Sequence, residues 1–171
     1  MRSHPFLEVN SMLGPGGERW VPVHCSVPFS GALAMYEACE ALFASHAADL
    51  ERFEIEHGYL SCSVGGSGIL VEPCLYWPDA RQEFHERVLD ADYLARLPRF
   101  PENPAARAFV AKLRGELADL FARSGAVSFQ IGKFYRYRSS QHDSALALLD
   151  ALKHNLDPQG LMNPGALGFP T

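Results

Sequence analysis

Apolar and polar residues alternate in three stretches of the first half of the chain. The run RWVPVHCSV at 19–27 puts its valines on one side and polar residues, including His24, on the other, which predicts a half-buried strand. The runs at 53–64 and 69–77 are also of extended type, and the glycine-rich GGSG at 65–68 lies between them. This pattern predicts a β-hairpin.

Helical spacing of apolar residues is found in three further segments, and capping residues mark helix starts. Ser30 precedes one helix, Asp79 with Gln82 resembles a capping box for another, Asn103 precedes Pro104 at the start of a third, and the last helix begins at Ser140. The predicted apolar stripes are Leu33, Tyr36, Glu40 and Phe43; Phe109, Leu113, Leu117, Leu120 and Phe121; and Leu146, Leu149, Leu152 and Leu156.

The run AVSFQIGKFY at 126–135 alternates again and predicts a fourth strand. The order is then strand, helix, strand, strand, helices, strand, helix. This is the split β-α-β-β-α-β order of ferredoxin-like α+β domains, with an additional C-terminal helix. We therefore predict one domain over residues 1–171, with an antiparallel sheet and helices on one of its faces.

Composition narrows the functional classes. With 47% hydrophobic and 20% charged residues, the chain matches an ordinary globular protein. A net charge of −5 argues against nucleic acid as a partner, because a polyanion binder needs a basic face. Cys25, Cys39, Cys62 and Cys74 show no zinc-binding spacing, so we expect reduced structural thiols and no metal site. No apolar run or leader indicates a membrane span, so we expect a cytoplasmic chain.

The chain finishes with ALKHNLDPQGLMNPGALGF, in which a helix is followed by two turn signals, at 157–160 and at 163–165. This tail resembles the C-terminal signature of the FAD-linked oxidases of the vanillyl-alcohol oxidase and p-cresol methylhydroxylase superfamily, where a helix of the form ALKxALDPxG precedes LNPGK. The order of the preceding elements is similar to that of the family's C-terminal cap domain. Two successive turns also predict a fixed conformation for Leu161, Met162 and Asn163, with core packing of Leu161 and Met162 as the alternative.

The resemblance implies a role in a flavoenzyme. In that family an N-terminal domain binds the adenine dinucleotide part of FAD, and the cap covers the isoalloxazine ring and supplies much of the substrate pocket. This chain has no stretch that resembles the N-terminal domain, so we expect it to begin partway through a cap, to need that domain or subunit as a partner, and to be inactive alone. The implied reaction is oxidation of an alcohol carbon in a 2-hydroxy acid or a para-substituted phenol. Homo-oligomerisation stays open.

The candidate substrate-binding residues are His24 on the polar face of the first predicted strand, Ser128 and Gln130 on the polar face of the fourth, and Lys133 and Tyr135 near the end of the fourth. Gly132 would let a ring approach closely, and the resemblance implies contact between Asn163 and the flavin edge. Many family members carry GEHGxG here, whereas this chain has SFQIG, without the acidic residue and the histidine. No catalytic residue is therefore assigned.

The vanillyl-alcohol oxidase branch holds a phenolate with a Tyr-Arg pair near this point. Tyr135-Arg136 and Tyr137-Arg138 are candidates for such a pair, because a guanidinium group and a phenol hydroxyl together stabilise an oxyanion. The alternative is a solvated strand end, in which Lys133, Arg136 and Arg138 face water.

Two functions outside enzymology stay open. A ferredoxin-like sheet with GKFYRY on a strand is similar to RNA-recognition motifs, whose strand aromatics stack on bases, and the same sheet would also suit a protein partner. The net charge and the lack of a second aromatic strand motif argue against RNA. The third alternative is a degenerate fragment that acts only in assembly, through an exposed sheet face.

Overall fold

The structure is a computed structural model, and it describes residues 9–128, 130 and 132–169. Within these residues it has four strands, six α-helices and short 3-10 turns, which confirms the α+β class. The strands are β1 Arg19–Pro22, β2 Cys25–Pro28, β3 Glu56–Val64 and β4 Gly68–Trp77. The helices are α1 Ala32–Ser45, α2 Ala47–Arg52, α3 Glu83–Val88, α4 Ala91–Arg96, α5 Pro104–Arg123 and α6 Asp143–Leu156. The 3-10 turns are Val9–Met12, Phe29–Gly31, Arg138–Ser140 and Ala166–Gly168.

Strand β4 is the centre of an antiparallel sheet. Along one edge β3 pairs with it without interruption, from Glu56 opposite Tyr76 to Val64 opposite Gly68, so the predicted hairpin is present. Along the other edge β1 and β2 pair with it one after the other. Helix α1 connects β2 to β3, and β4 lies between those two strands. This is the split β-α-β arrangement that the order of elements predicts.

The predicted strand at 126–135 is wrong for most of its described length. Only Val127 pairs, through two backbone hydrogen bonds of 2.8 and 3.1 Å with Ser26 on the free edge of β2. Residues 130 and 132–135 form bends instead, and the Tyr137 N–H donates to the carbonyl of Tyr135, which turns the chain. The predicted strand positions 129 and 131 lie outside the described residues.

Helices α1 and α5 cover the same face of the sheet and enclose the core. The β4 residues on that face, Val71, Leu75 and Trp77, are all buried. The predicted α5 stripe is confirmed, because four of its five residues are buried and Leu120 packs partly buried against them. Asn103 caps α5 as predicted, since its side-chain oxygen accepts from the Ala106 N–H at 3.0 Å.

The predicted stripe of α1 is correct in part, because Tyr36, Glu40 and Phe43 all contact Tyr59 of β3, whereas Leu33 does not face the core. Met35 and Cys39 are buried with Phe43, whereas Leu33 is 68% exposed. Ser30 lies in a 3-10 turn and does not cap the helix. Apolar residues are found on nearly every side of α1, so helical spacing alone did not identify the buried face.

Asp79 is fully buried and does not cap a helix, so that prediction is wrong. Helix α3 begins at Glu83, and Gln82 is its capping residue. Burial alone would raise the pKa of Asp79, but the hydrogen bonds that it accepts outweigh burial and hold the pKa below its ordinary value. The donors are the backbone N–H groups of Asn103 and Ala80 at 2.8 Å, the indole of Trp77 at 3.2 Å, and the guanidinium groups of Arg19 and Arg107 at 2.9 and 3.2 Å.

Asp79→Ala should lower the free energy of unfolding by about 3–5 kcal/mol, because it leaves the guanidinium groups of Arg19 and Arg107 without their buried anion. Urea unfolding at neutral pH measures the change. Glu102→Ala is the matched control: this largely exposed carboxylate lies 3.5 Å from Arg107, and its removal should cost less than about 1 kcal/mol. Similar losses in the two variants would contradict the role assigned to Asp79.

Candidate functional site

Two cavities lie side by side next to the bridge at Val127, and Gly132 lines both. We call the first, of about 270 Å³, the polar cavity; its lining includes His24, Arg114, Gln130, Gly132, Lys133 and Tyr135. We call the second, of about 490 Å³, the apolar cavity; it lies between α6 and the tail, and its lining includes Gly132, Leu149, Leu152, Asn163, Leu167 and Phe169. The two cavities therefore meet at one glycine.

The predicted site residues are divided between these cavities. Four of the five predicted substrate residues line the polar cavity, and both predicted cofactor residues, Gly132 and Asn163, line the apolar cavity. Ser128 lines neither of them. The polar cavity is thus lined by His24, from the break between β1 and β2, and by several residues of the segment that follows Val127.

His24 and Tyr135 pack against each other at the polar cavity. Their rings stack with centroids 4.7 Å apart, and the Tyr135 hydroxyl oxygen accepts a hydrogen bond from the His24 backbone N–H at 3.3 Å. His24 is buried between β1 and β2. Burial raises the pKa of Tyr135, so its hydroxyl keeps the proton at neutral pH and can donate it in a hydrogen bond.

Arg114 of α5 is the site residue that the sequence analysis missed. Its guanidinium carbon lies 4.3 Å from the ring centroid of Phe134, and its buried Nε has no hydrogen-bond partner among the residues that the structure describes. Across the described ranges no carboxylate oxygen lies within 4.0 Å of its guanidinium nitrogens. Burial lowers the pKa of Arg114, yet an arginine stays protonated in a protein.

A partly buried cation that pairs with no anion costs free energy, and a bound anionic ligand would remove that cost. A sequence signal for this residue exists: Arg114 follows Val110 by four positions and precedes Leu117 by three, so it lies on the buried side of α5. The polar cavity is therefore arranged for an anionic group.

Gly132 gives a flat ligand access to its backbone. A Cβ added at this position would meet no atom within 4 Å, so the space above the glycine is open on the cavity side. Its carbonyl accepts a hydrogen bond from the Leu167 N–H at 2.9 Å, which ties the tail to this segment. The residues present therefore fit a planar ring that lies across Gly132.

Asp157 holds the two predicted turns of the tail in place. Its nearly buried carboxylate accepts hydrogen bonds from the Lys153 ammonium group and from the backbone N–H groups of Leu161 and Met162, at 2.8 and 2.9 Å. The hydrogen bond from Lys153 is the largest cause that keeps the pKa of Asp157 below its ordinary value. Asn163 has a φ of 47° inside the second turn.

Leu161 and Met162 do not pack in the core, since they are 74% and 60% exposed. That alternative is wrong. Arg136 and Arg138 do not line the polar cavity either: Arg136 pairs with Asp119 at 2.8 Å, and Arg138 pairs through two nitrogens with Asp150. Neither Tyr-Arg pair thus supplies its arginine to the candidate site.

The other reactive side chains lie outside the two cavities. The four cysteines are free thiols, and burial raises the pKa of Cys25 and Cys39 to about 12 and that of Cys74 to about 11. These three thiols are therefore poor nucleophiles. In the part of the chain that the structure describes, no group of three or more His, Cys, Asp and Glu side chains could hold a metal ion. None of the helices described is both long and apolar enough to cross a bilayer.

No protein-family model matches the chain, and neither a curated protein nor a solved structure matches it. Function has to be inferred from the two cavities and the tail.

Asp157→Ala should release the tail, because the Leu161 and Met162 N–H groups lose their acceptor. Amide hydrogen exchange at these two residues should become roughly tenfold faster or more, while exchange in β4 stays unchanged. Gln159→Ala, an exposed change in the same turn, is the control and should leave exchange as it is. Unchanged exchange at Leu161 and Met162 in Asp157→Ala would show that the carboxylate does not hold the tail.

Proposed function

We propose that this chain is the substrate-binding cap domain of an FAD-dependent oxidoreductase that oxidises an alcohol carbon of a 2-hydroxy acid or a para-substituted phenol. The observation that carries the proposal is the meeting, at Gly132, of two cavities: one lined by Arg114, which pairs with no carboxylate among the described residues, and an apolar one bordered by the Asn163 turn. The resemblance of the tail to the FAD-linked oxidases points to the same function.

The polar cavity suits a small anionic substrate. Arg114 offers a planar guanidinium group, which binds a carboxylate or a phenolate through charge-assisted hydrogen bonds. Lys133 adds a second positive charge at the rim, and the Tyr135 hydroxyl adds a neutral donor. A volume of about 270 Å³ is in the range of a one-ring acid. Together these groups hold the anionic end of the substrate and leave its alcohol carbon towards Gly132.

The apolar cavity suits one face of the flavin ring. Its walls are mostly aliphatic and aromatic side chains of α6 and the tail, together with the Lys153–Asp157 ion pair. The Asn163 side chain offers both a donor and an acceptor to a polar ring edge. When bound, FAD supplies the two-electron oxidation by accepting a hydride from the substrate carbon. The chain's own part is to bind the substrate, to orient it across Gly132 and to exclude water.

The surface beside the apolar cavity fits a partner domain. Leu156, Leu161 and Met162 are all largely exposed next to Asn163, and no residue of α6 is fully buried. Contiguous exposed apolar side chains at a cavity mark an interaction surface. An N-terminal FAD-binding domain or subunit would cover this surface while it brings the ring to Gly132.

The RNA-binding alternative loses its main observation. Phe134 and Tyr135 of the GKFYRY motif do not lie on a strand, and both pack against the core. They do not form an exposed sheet platform on which bases stack.

Reconstitution tests the proposal. The chain fused behind an FAD-binding domain of the vanillyl-alcohol oxidase superfamily should retain flavin through gel filtration, seen by its visible absorbance. Gly132→Val should reduce retention about tenfold or more, because the new side chain fills the space that the ring needs. Gly66→Val is the matched control, since Gly66 in the hairpin turn also has open space around an added Cβ.

A second readout does not depend on the choice of fused domain. Millimolar FMN, titrated onto the isolated chain, should shift the amide resonances of Gly132 and Asn163, and these shifts should be absent in Gly132→Val. Shifts confined to other residues, or a fusion that retains flavin equally well with valine at 132, would contradict the proposed function.

A further inference from the structure

Strand β3 is an exposed sheet edge without the features that usually block such an edge. It is nine residues long, and its pairing with β4 contains no bulge. The strand has no proline or lysine; its acidic residue, Glu56, is at its first position, and no charged residue occurs in the stretch 58–69. Of the strands described, only β4 pairs with it. Natural proteins protect long free edges with charges, prolines or bulges, so an edge without them is suited to pair with another strand.

The side chains of β3 are also uncovered on the sheet face away from α1 and α5. Leu60, Cys62 and Val64 point to that face, because they lie opposite Glu72, Leu70 and Gly68, whereas Ser61 lies opposite the core residue Val71. All three side chains are exposed, Leu60 by 55%. The edge thus offers both free backbone groups and an apolar strip.

We propose that two copies of this chain associate through antiparallel pairing of their β3 strands about a twofold axis at Cys62. In that register Leu60 lies opposite Val64 of the second copy, Ser61 lies opposite its Ser63, and the two Cys62 residues face each other. Apolar residues meet apolar residues and hydroxyls meet hydroxyls, which is favourable for cross-strand pairs. A twofold interface must match itself in this way.

The uncharged edge of β3 allows a second copy to approach as the occupant. The chain carries a formal net charge of −5, so two copies repel each other over most approaches. The stretch 58–69 has no charge, so two β3 strands can meet without placing like charges opposite each other. The strand is separated from β1 and β2 by β4, so the pairing takes place at the sheet edge opposite to the break that carries His24. The inference therefore stands independently of the proposed function.

Sedimentation of the full chain in reducing buffer tests the association. It should give a reversible dimer, with about twice the 18.9 kDa mass of one chain. Cys62→Lys places two ammonium groups opposite each other and should weaken dimerisation about tenfold or more. Leu33→Lys changes an exposed apolar residue of α1 and should leave it unchanged. A monomer at every concentration up to the millimolar range, or equal dimerisation of Cys62→Lys, would overturn the proposal.

Oxidative crosslinking tests the register. Residues directly opposite in an antiparallel pair have Cα atoms about 4.5–5.5 Å apart, which suits a disulfide. Mild oxidation should link wild-type chains, and Cys62→Ser should prevent it. In the Cys62→Ser background, Ser61→Cys should link to Ser63→Cys chains but hardly to itself. Equal self-crosslinking of Ser61→Cys would overturn this register, and a crosslink without a reversible dimer would show that only collisions occur. Circular dichroism confirms that each variant is folded.

Discussion

The buried carboxylate of Asp79 joins the parts of the molecule on which the candidate site depends. It accepts hydrogen bonds from Arg19 at the start of β1 and from Trp77 at the end of β4. At the start of α5 it accepts one from the N–H of the capping residue Asn103 and pairs with Arg107. Arg107 and Arg114 are seven residues apart, which is about two helical turns, so both extend from a similar side of α5. Because Asp79 holds Arg107, it also fixes the position along α5 from which Arg114 reaches the polar cavity.

These two arginines show the difference between a structural and a functional charge. The anion at Asp79 is surrounded by donors, which is what a buried charge requires for stability. Arg114 has an aromatic ring on one side and, among its described neighbours, no anion. A ligand that brings a carboxylate or phenolate would supply the missing charge. The tail adds a second, independent device: Asp157 fixes the turn that carries Asn163, and the Leu167 N–H ties this turn to Gly132.

Much of the fold could be predicted from the sequence, because the relevant patterns are local. Alternation and a glycine-rich turn are sufficient for the hairpin of β3 and β4, and a cap with a regular stripe is sufficient for α5. The strand predicted at 126–135 was wrong over most of its described length, since alternation does not report that Tyr135 packs on His24 and that the chain turns there. In α1 the apolar residues surround the helix, so their spacing did not select Met35 and Cys39.

The site was predictable only in part. His24, Gln130, Gly132, Lys133, Tyr135 and Asn163 do line the two cavities, although 130 and 132–135 form bends and not the strand from which Gln130 was predicted. Asp79 was misassigned since its partners Arg19 and Arg107 lie 60 and 28 residues away, and only tertiary structure brings them together. Arg114 was not predicted for the same reason, because only the tertiary structure shows that no described carboxylate lies next to its guanidinium group.

The most direct measurement follows the Nε–H resonance of Arg114 by NMR while 4-hydroxybenzoate is added, with neutral 4-hydroxybenzyl alcohol as the matched probe. The account predicts that the acid shifts this resonance, that it binds about tenfold or more tightly than the alcohol, and that Arg114→Leu abolishes the preference. Equal binding of the two probes, or an undiminished preference in Arg114→Leu, would contradict it.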